Sequence, residues 1–130
     1  MSLYSTTSAN VLNAVLRNGT YTSPAALYAA LYSTAPTGNT TGTELSGSGY
    51  ARQVVTFATA TSTSAGSAAV SNVAVTWGPA TADWSGAQAV AITDASTSGN
   101  IISFQTIAQR NVLNGGSLTI GTGNLSVTLS

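Results

Sequence analysis

The chain has 130 residues, of which 43% are hydrophobic and only 5% charged, with three arginines against three acidic residues and no lysine, histidine or cysteine. An ordinary soluble domain carries about 25% charged residues, so this surface must be dressed in Ser, Thr, Asn and Gln and lacks the charge repulsion that keeps monomers apart, as expected of a protein that sits in an assembly. The same composition excludes thiol and imidazole nucleophiles and bases, zinc held by cysteine or histidine, and lysine Schiff bases, and arginines scattered at 17, 52 and 110 form no basic stripe for nucleic acid.

The length suits one domain, residues 1–130, around one core. No apolar run is long enough to cross a bilayer and no basic leader precedes one, so no membrane contact is expected. Glu44, Asp83 and Asp94 lie in three separate turn-like contexts, with no spacing that pairs two carboxylates for acid–base work. The expectation is a non-enzymatic protein without a cofactor or metal.

In chain order, residues 1–7 are small and polar, and Ser8 is placed to cap a short helix over about 8–18. Val11, Leu12, Val15 and Leu16 share one face of it, and Asn18-Gly19 ends it. It reads as a lid over an open end of a β core or as a helix that docks on a neighbouring subunit, the lid being the simpler reading. Residues 25–33 alternate Leu27, Ala29 and Leu31 with Tyr28, Ala30 and Tyr32, which predicts a half-buried strand, although Leu27 and Leu31 would also share a helical face. Residues 44–57 begin in a glycine-rich bend and become a strand with Tyr50, Arg52, Val54 and Thr56 on one side and Ala51, Gln53, Val55 and Phe57 on the other. Arg52 would lay its stem along the sheet and reach water or a carboxylate, Glu44 being the nearest in sequence.

Residues 58–72 are low in complexity and predict a loop or, alternatively, a hairpin arm that orders against another subunit. Val73, Val75 and Trp77 alternate as a strand that Gly78-Pro79 breaks. A long hairpin with an aromatic entry dominates residues 77–107: Val90 and Ile92 alternate with Ala89, Ala91 and Thr93, a turn-rich stretch spans 94–100, and Ile102, Phe104 and Thr106 alternate with Ile101, Ser103, Gln105 and Ile107. Residues 110–116 read as a turn, Leu118 and Ile120 as a short strand, and Leu125, Val127 and Leu129 as the last one. Seven or eight short strands and one helix predict a mainly β fold, an antiparallel β-sandwich or jelly-roll-like barrel with a short N-terminal helix.

Several segments together resemble a family of small tailed-bacteriophage virion proteins, often labelled tail-fibre proteins. The resemblance rests on the opening helix, LYAALYSTAPT at 27–37, TELSGSGYARQ at 43–53, ATADW at 80–84, AITDA at 91–95 and GNLSVTL at 123–129. The glycine-rich bend followed by Tyr-Ala-Arg-Gln is its most specific piece. Where an acidic residue is expected after Pro36, this chain has Gly38, Asn39 and Thr40.

The resemblance implies a structural component on the outer surface of the virion, made in the bacterial host cytoplasm. Compactness ranks a capsid decoration (cement) protein, a trimer or dimer bridging neighbouring copies of the major capsid protein, ahead of a tail fibre, which normally needs a long shaft. The alternative is a tail-fibre or receptor-binding component whose partners are other tail proteins and host glycans. Candidate contact residues, chosen for exposure, are Ser2, Leu3 and Tyr4 in the segment 2–7, Asn39 and Thr40 in the loop 38–47, and Thr61, Ser62 and Thr63 in the stretch 58–72. Trp84 is the candidate for stacking on a sugar, against the plainer reading that both tryptophans anchor the core.

Overall fold

The computed structural model describes residues 1–129. Helix α1 (Ser5–Leu16) comes first, followed by β1 (Leu27–Thr34), β2 (Thr43–Glu44), β3 (Gln53–Val55), β4 (Thr61–Thr63), β5 (Gly66–Val70), β6 (Val75–Trp77), β7 (Trp84–Thr93), β8 (Ile101–Val112), β9 (Leu118–Ile120) and β10 (Ser126–Leu129). Every pairing between these strands is antiparallel. The fold is mainly β and sandwich-like with one short N-terminal helix, as expected from the alternation, and among the described residues no closed barrel forms.

The main sheet runs β2-β1-β7-β8, with β3 beside β2 on the same edge of β1. Its centre is the long hairpin of β7 and β8. Along β7, Ala89, Val90, Ala91, Ile92 and Thr93 are each at most 1% exposed, so this strand is covered on both faces. Val90 and Ile92 point into the larger core with Ala29, Leu31, Val55, Trp77 and Leu125. On the opposite face Ala30, Ala89 and Ala91 pack with Tyr32 and Ile101, and their small size lets Tyr4 and Phe104 close over the sheet. The Tyr4 ring meets Phe104 edge to face, with centroids 6.0 Å apart.

A second sheet runs β10-β5-β4, and β6 with β9 forms a two-stranded ribbon packed on β3. Trp77, on β6, is fully buried and its indole N–H donates to the Ala29 carbonyl at 3.1 Å. The chain start ties the sheets together. Ser2 forms a parallel bridge with Thr128 on β10, while Leu3 forms an antiparallel one with Ser103 on β8. On the far side Phe57 pairs with Ser71 and so links the end of β3 to the end of β5. The closing links are single bridges, which leaves a sandwich with a stitched seam.

Four local readings change. Helix α1 starts at Ser5, after an N-cap Tyr4 that makes no side-chain capping bond, and Ser8 lies inside it with its N–H bonded to the Tyr4 carbonyl at 2.9 Å. Of the two readings of 58–72, the loop gives way to the hairpin, β4–β5, which is ordered by β10 of the same chain and not by another subunit. Of the strand expected over 50–57, Gln53–Val55 joins β1 and Phe57 makes its single bridge to Ser71, while the side chains of Tyr50 and Arg52 are drawn toward Glu44. Arg110 belongs to β8, opposite Ala87, so the hairpin runs further than the turn signal suggested.

Candidate functional site

Three features carry the chemistry of this surface: an ion-pair cluster at one end of the main sheet, a cleft beside it, and the outward face of α1. The cluster begins at β1, whose edge pairs with β3 as far as Ala29 and with β2 from Tyr32 onward. The gap falls at Leu31, and the Tyr50 hydroxyl fills it by accepting the Leu31 N–H at 2.9 Å. The same hydroxyl donates to Glu44 Oε1 at 2.9 Å. Arg52 grips that carboxylate in a fork, Nε to Oε1 at 2.8 Å and Nη2 to Oε2 at 2.7 Å. Its Nη1 then reaches the carbonyls of Ala95 and Ser98, both at 2.7 Å, and Thr93 Oγ1 at 3.2 Å. The Arg52 side chain is 8% exposed and that of Glu44 25%.

Burial pushes the Tyr50 phenol far above its usual value; the Leu31 N–H pulls it down, and the neighbouring Glu44 charge raises it further. The hydrogen bond to Glu44 holds the guanidinium protonated more firmly than usual, against a smaller opposing effect of burial. Glu44 is thus engaged by a cation and a phenol. Among the described residues no group of three or more acidic side chains gathers to hold a metal ion.

The turn that Arg52 holds is built by Asp94, whose Oδ1 accepts the Asn100 N–H at 2.7 Å and whose Oδ2 accepts the Asn100 side-chain amide at 2.9 Å. Partial burial pushes the Asp94 carboxyl up, but those two bonds, its own backbone N–H and the Arg52 charge together hold the group below its ordinary value. Gly99 sits at φ +75°, and a Cβ there would come within 2.4 Å of Asp94 Oδ1, so the turn requires glycine. Beside it lies a cleft of about 460 Å³, bordered by Tyr4, Tyr32, Glu44, Arg52 and Asn100. Tyr32 is only 4% exposed, so it offers this cleft an edge and no open ring face.

The structure brings together two of the three candidate contact segments. Ser5 Oγ donates to the Gly38 carbonyl at 3.1 Å and the Tyr4 hydroxyl reaches the Thr40 carbonyl at 3.5 Å. The loop is a local turn in which Thr37 Oγ1 accepts the N–H groups of Asn39 and Thr40 at 3.3 and 3.1 Å. Ser2, Asn39 and Thr40 are exposed, whereas Leu3 and Tyr4 are half-buried in the seam. Thr61, Ser62 and Thr63 lie on β4, the edge of the other sheet, with all three exposed. Trp84 is 5% exposed, its indole N–H donating to the Ser48 carbonyl at 2.9 Å and its ring against Tyr50, which leaves no face for a sugar ring.

Selection by exposure overlooked the strongest surface feature. On α1 only Thr7 is buried, while Leu12, Val15 and Leu16 are 56%, 74% and 74% exposed. Their shared helical face, read from the sequence first as the underside of a lid on the core, points to solvent, so the lid reading is corrected and the alternative of a docking helix is left.

The family model described as podophage GP4 fiber I protein gp80 matches residues 2–128, nearly the whole chain. The chain belongs to this Gp80 family. The motif-based resemblance to phage virion proteins therefore holds, and membership in a phage fibre family makes this chain a virion structural component. No curated protein matches it.

Proposed function

We propose that this chain is a structural subunit of a podophage fibre, acting by adhesion through buried surface and without catalysis. The observation that carries this reading is the fibre family match over residues 2–128. It favours the tail-fibre alternative over head decoration, which the small size of the chain had ranked first. Within this reading, the exposed stripe of Leu12, Val15 and Leu16 on α1 is the attachment surface to a neighbouring virion subunit, since an exposed apolar cluster on a surface this poor in charge marks a protein contact. Contact with host sugars through Trp84 is not part of the proposal, because its ring is enclosed.

Immunogold electron microscopy of the parent phage with antibody to this chain tests the assignment. Gold confined to the tail fibres is the expected result. Gold spread over the head would overturn it in favour of decoration. Particles carrying Val15→Asp with Leu16→Asp should lose the label, because these substitutions charge the stripe without touching either core.

A further inference from the structure

We propose that the cleft beside the Arg52–Glu44 pair is a binding site for a neutral, polyhydroxylated ligand, a saccharide, held between the Tyr32 hydroxyl and the Glu44 carboxylate. The inference goes beyond adhesion by buried surface and does not depend on where on the particle the chain sits.

Tyr32 is the unexplained group. The hydroxyls of Tyr4 and Tyr50 find partners within the chain, whereas that of Tyr32, a residue only 4% exposed, finds none among the described residues. No side-chain oxygen sealed from solvent is left without a partner among them, so the Tyr32 hydroxyl opens on the cleft that its residue lines. Across the β1–β2 ladder Tyr32 stands directly opposite Glu44, which puts both side chains on one face of the sheet. Glu44 accepts two hydrogen bonds at Oε1 and one at Oε2, of the roughly four that a carboxylate takes, and its side chain is 25% exposed. Burial, and after it the Glu44 charge, keeps the Tyr32 phenol protonated above its usual range. A donor and an acceptor thus face the same space without bonding one another.

This pairing selects the ligand. One hydroxyl can accept from Tyr32 and donate to Glu44 at once, whereas an ammonium has nothing to accept with and an ionised carboxylate or sulfate nothing to donate. Charge argues the same way. Every nitrogen of the Arg52 guanidinium is already engaged, so an anion would meet Glu44 without a free cation beside it, and Arg52 in turn balances Glu44, so a cation gains little. Around the pair, the exposed hydroxyls of Thr6 and Thr41 and the side-chain amide of Asn100, whose nitrogen is held by Asp94, offer further neutral partners, with Ile101 as an apolar edge. A single water answers the first hydroxyl position; a saccharide answers several with one molecule, displacing the waters together. The cleft volume of about 460 Å³ falls within the roughly 300–1,000 Å³ of small-molecule sites.

The test is an amide NMR titration of the full chain with glucose, galactose, mannose, rhamnose and N-acetylglucosamine, with inorganic phosphate and an oligolysine peptide as charged controls. At least one sugar is expected to give saturable shifts confined to the residues around Tyr32, Thr41 and Asn100, and the two controls none there. Tyr32→Phe removes only the unpartnered hydroxyl, so it should leave the melting temperature unchanged while weakening that sugar by about tenfold. Thr41→Ala, at the exposed rim, should weaken it by less. No sugar shift at the cleft would overturn the proposal, leaving water as the occupant. Equal sugar affinity in Tyr32→Phe would do so too, as would a marked fall in its melting temperature, which would make the hydroxyl a structural partner. Shifts there from phosphate or oligolysine alone would reassign the cleft to an anion or to a basic segment of a neighbouring protein. None of these outcomes bears on the fibre assignment, which the gold label judges.

Discussion

Arg52 holds three parts of the chain at once: β2 through Glu44, the end of β7 through Thr93, and the β7–β8 turn through the carbonyls of Ala95 and Ser98. Arg52→Ala would strand all of these partners and is expected to cost about 2–3 kcal/mol in urea denaturation, whereas Arg52→Lys keeps the charge but loses the fork and should cost about half as much. Asp94 gives the turn a pH dependence whose sign is set by its lowered folded value. Its stabilising contribution is present above the ordinary aspartate range and is lost as pH falls through the folded value. A melting-temperature series from about pH 6 down to pH 2 should therefore show an acid limb that Asp94→Asn flattens. The Arg52–Glu44 pair was legible because the two residues flank one glycine-rich bend. The carbonyl partners were not, since every residue carries a carbonyl and nothing in the sequence says which one an arginine will meet.

At the scale of elements, alanine decides how closely layers approach. Ala30, Ala89 and Ala91 are wholly buried beneath Tyr4 and Phe104. Ala91→Leu has no space to occupy and is expected to destabilise by about 1–3 kcal/mol while loosening the N-terminal segment, visible as faster amide exchange at Tyr4. Leu16→Ser on α1 should change stability of the isolated subunit by less than about 0.5 kcal/mol, because the side chain it removes is already in water; a large loss would mean that the stripe is packed in the free protein. The strands β1, β7 and β8 were legible because Leu, Val, Ile and Tyr alternate along them. The β4–β5 hairpin was legible only as an alternative to a loop, because Ala, Ser, Thr and Gly give almost no hydrophobic period, and its order comes from backbone pairing with β10, distant in sequence. That β7 is buried on both faces was hidden for a related reason, since alanines alternating with larger residues look like one exposed and one buried face.

For the whole molecule, the decisive element is the short N-terminal segment that stitches β8 to β10. Removing residues 1–4 should leave both sheets intact yet lower the melting temperature and speed amide exchange along the facing edges of β8 and β10, without altering the turn held by Arg52. That seam also sets a schedule. Ser2 must find Thr128 and Leu3 must find Ser103, so this segment waits for strands made long after it before its backbone groups are paired. Contacts this distant in sequence place the chain among slow-folding β topologies, with times on the order of milliseconds to seconds. Until β8 has been made the N-terminal segment has no partner for Leu3 and the alanine face of the main sheet stays uncovered, and until β10 has been made Ser2 has no partner either, an interval in which a host chaperone can bind the nascent chain.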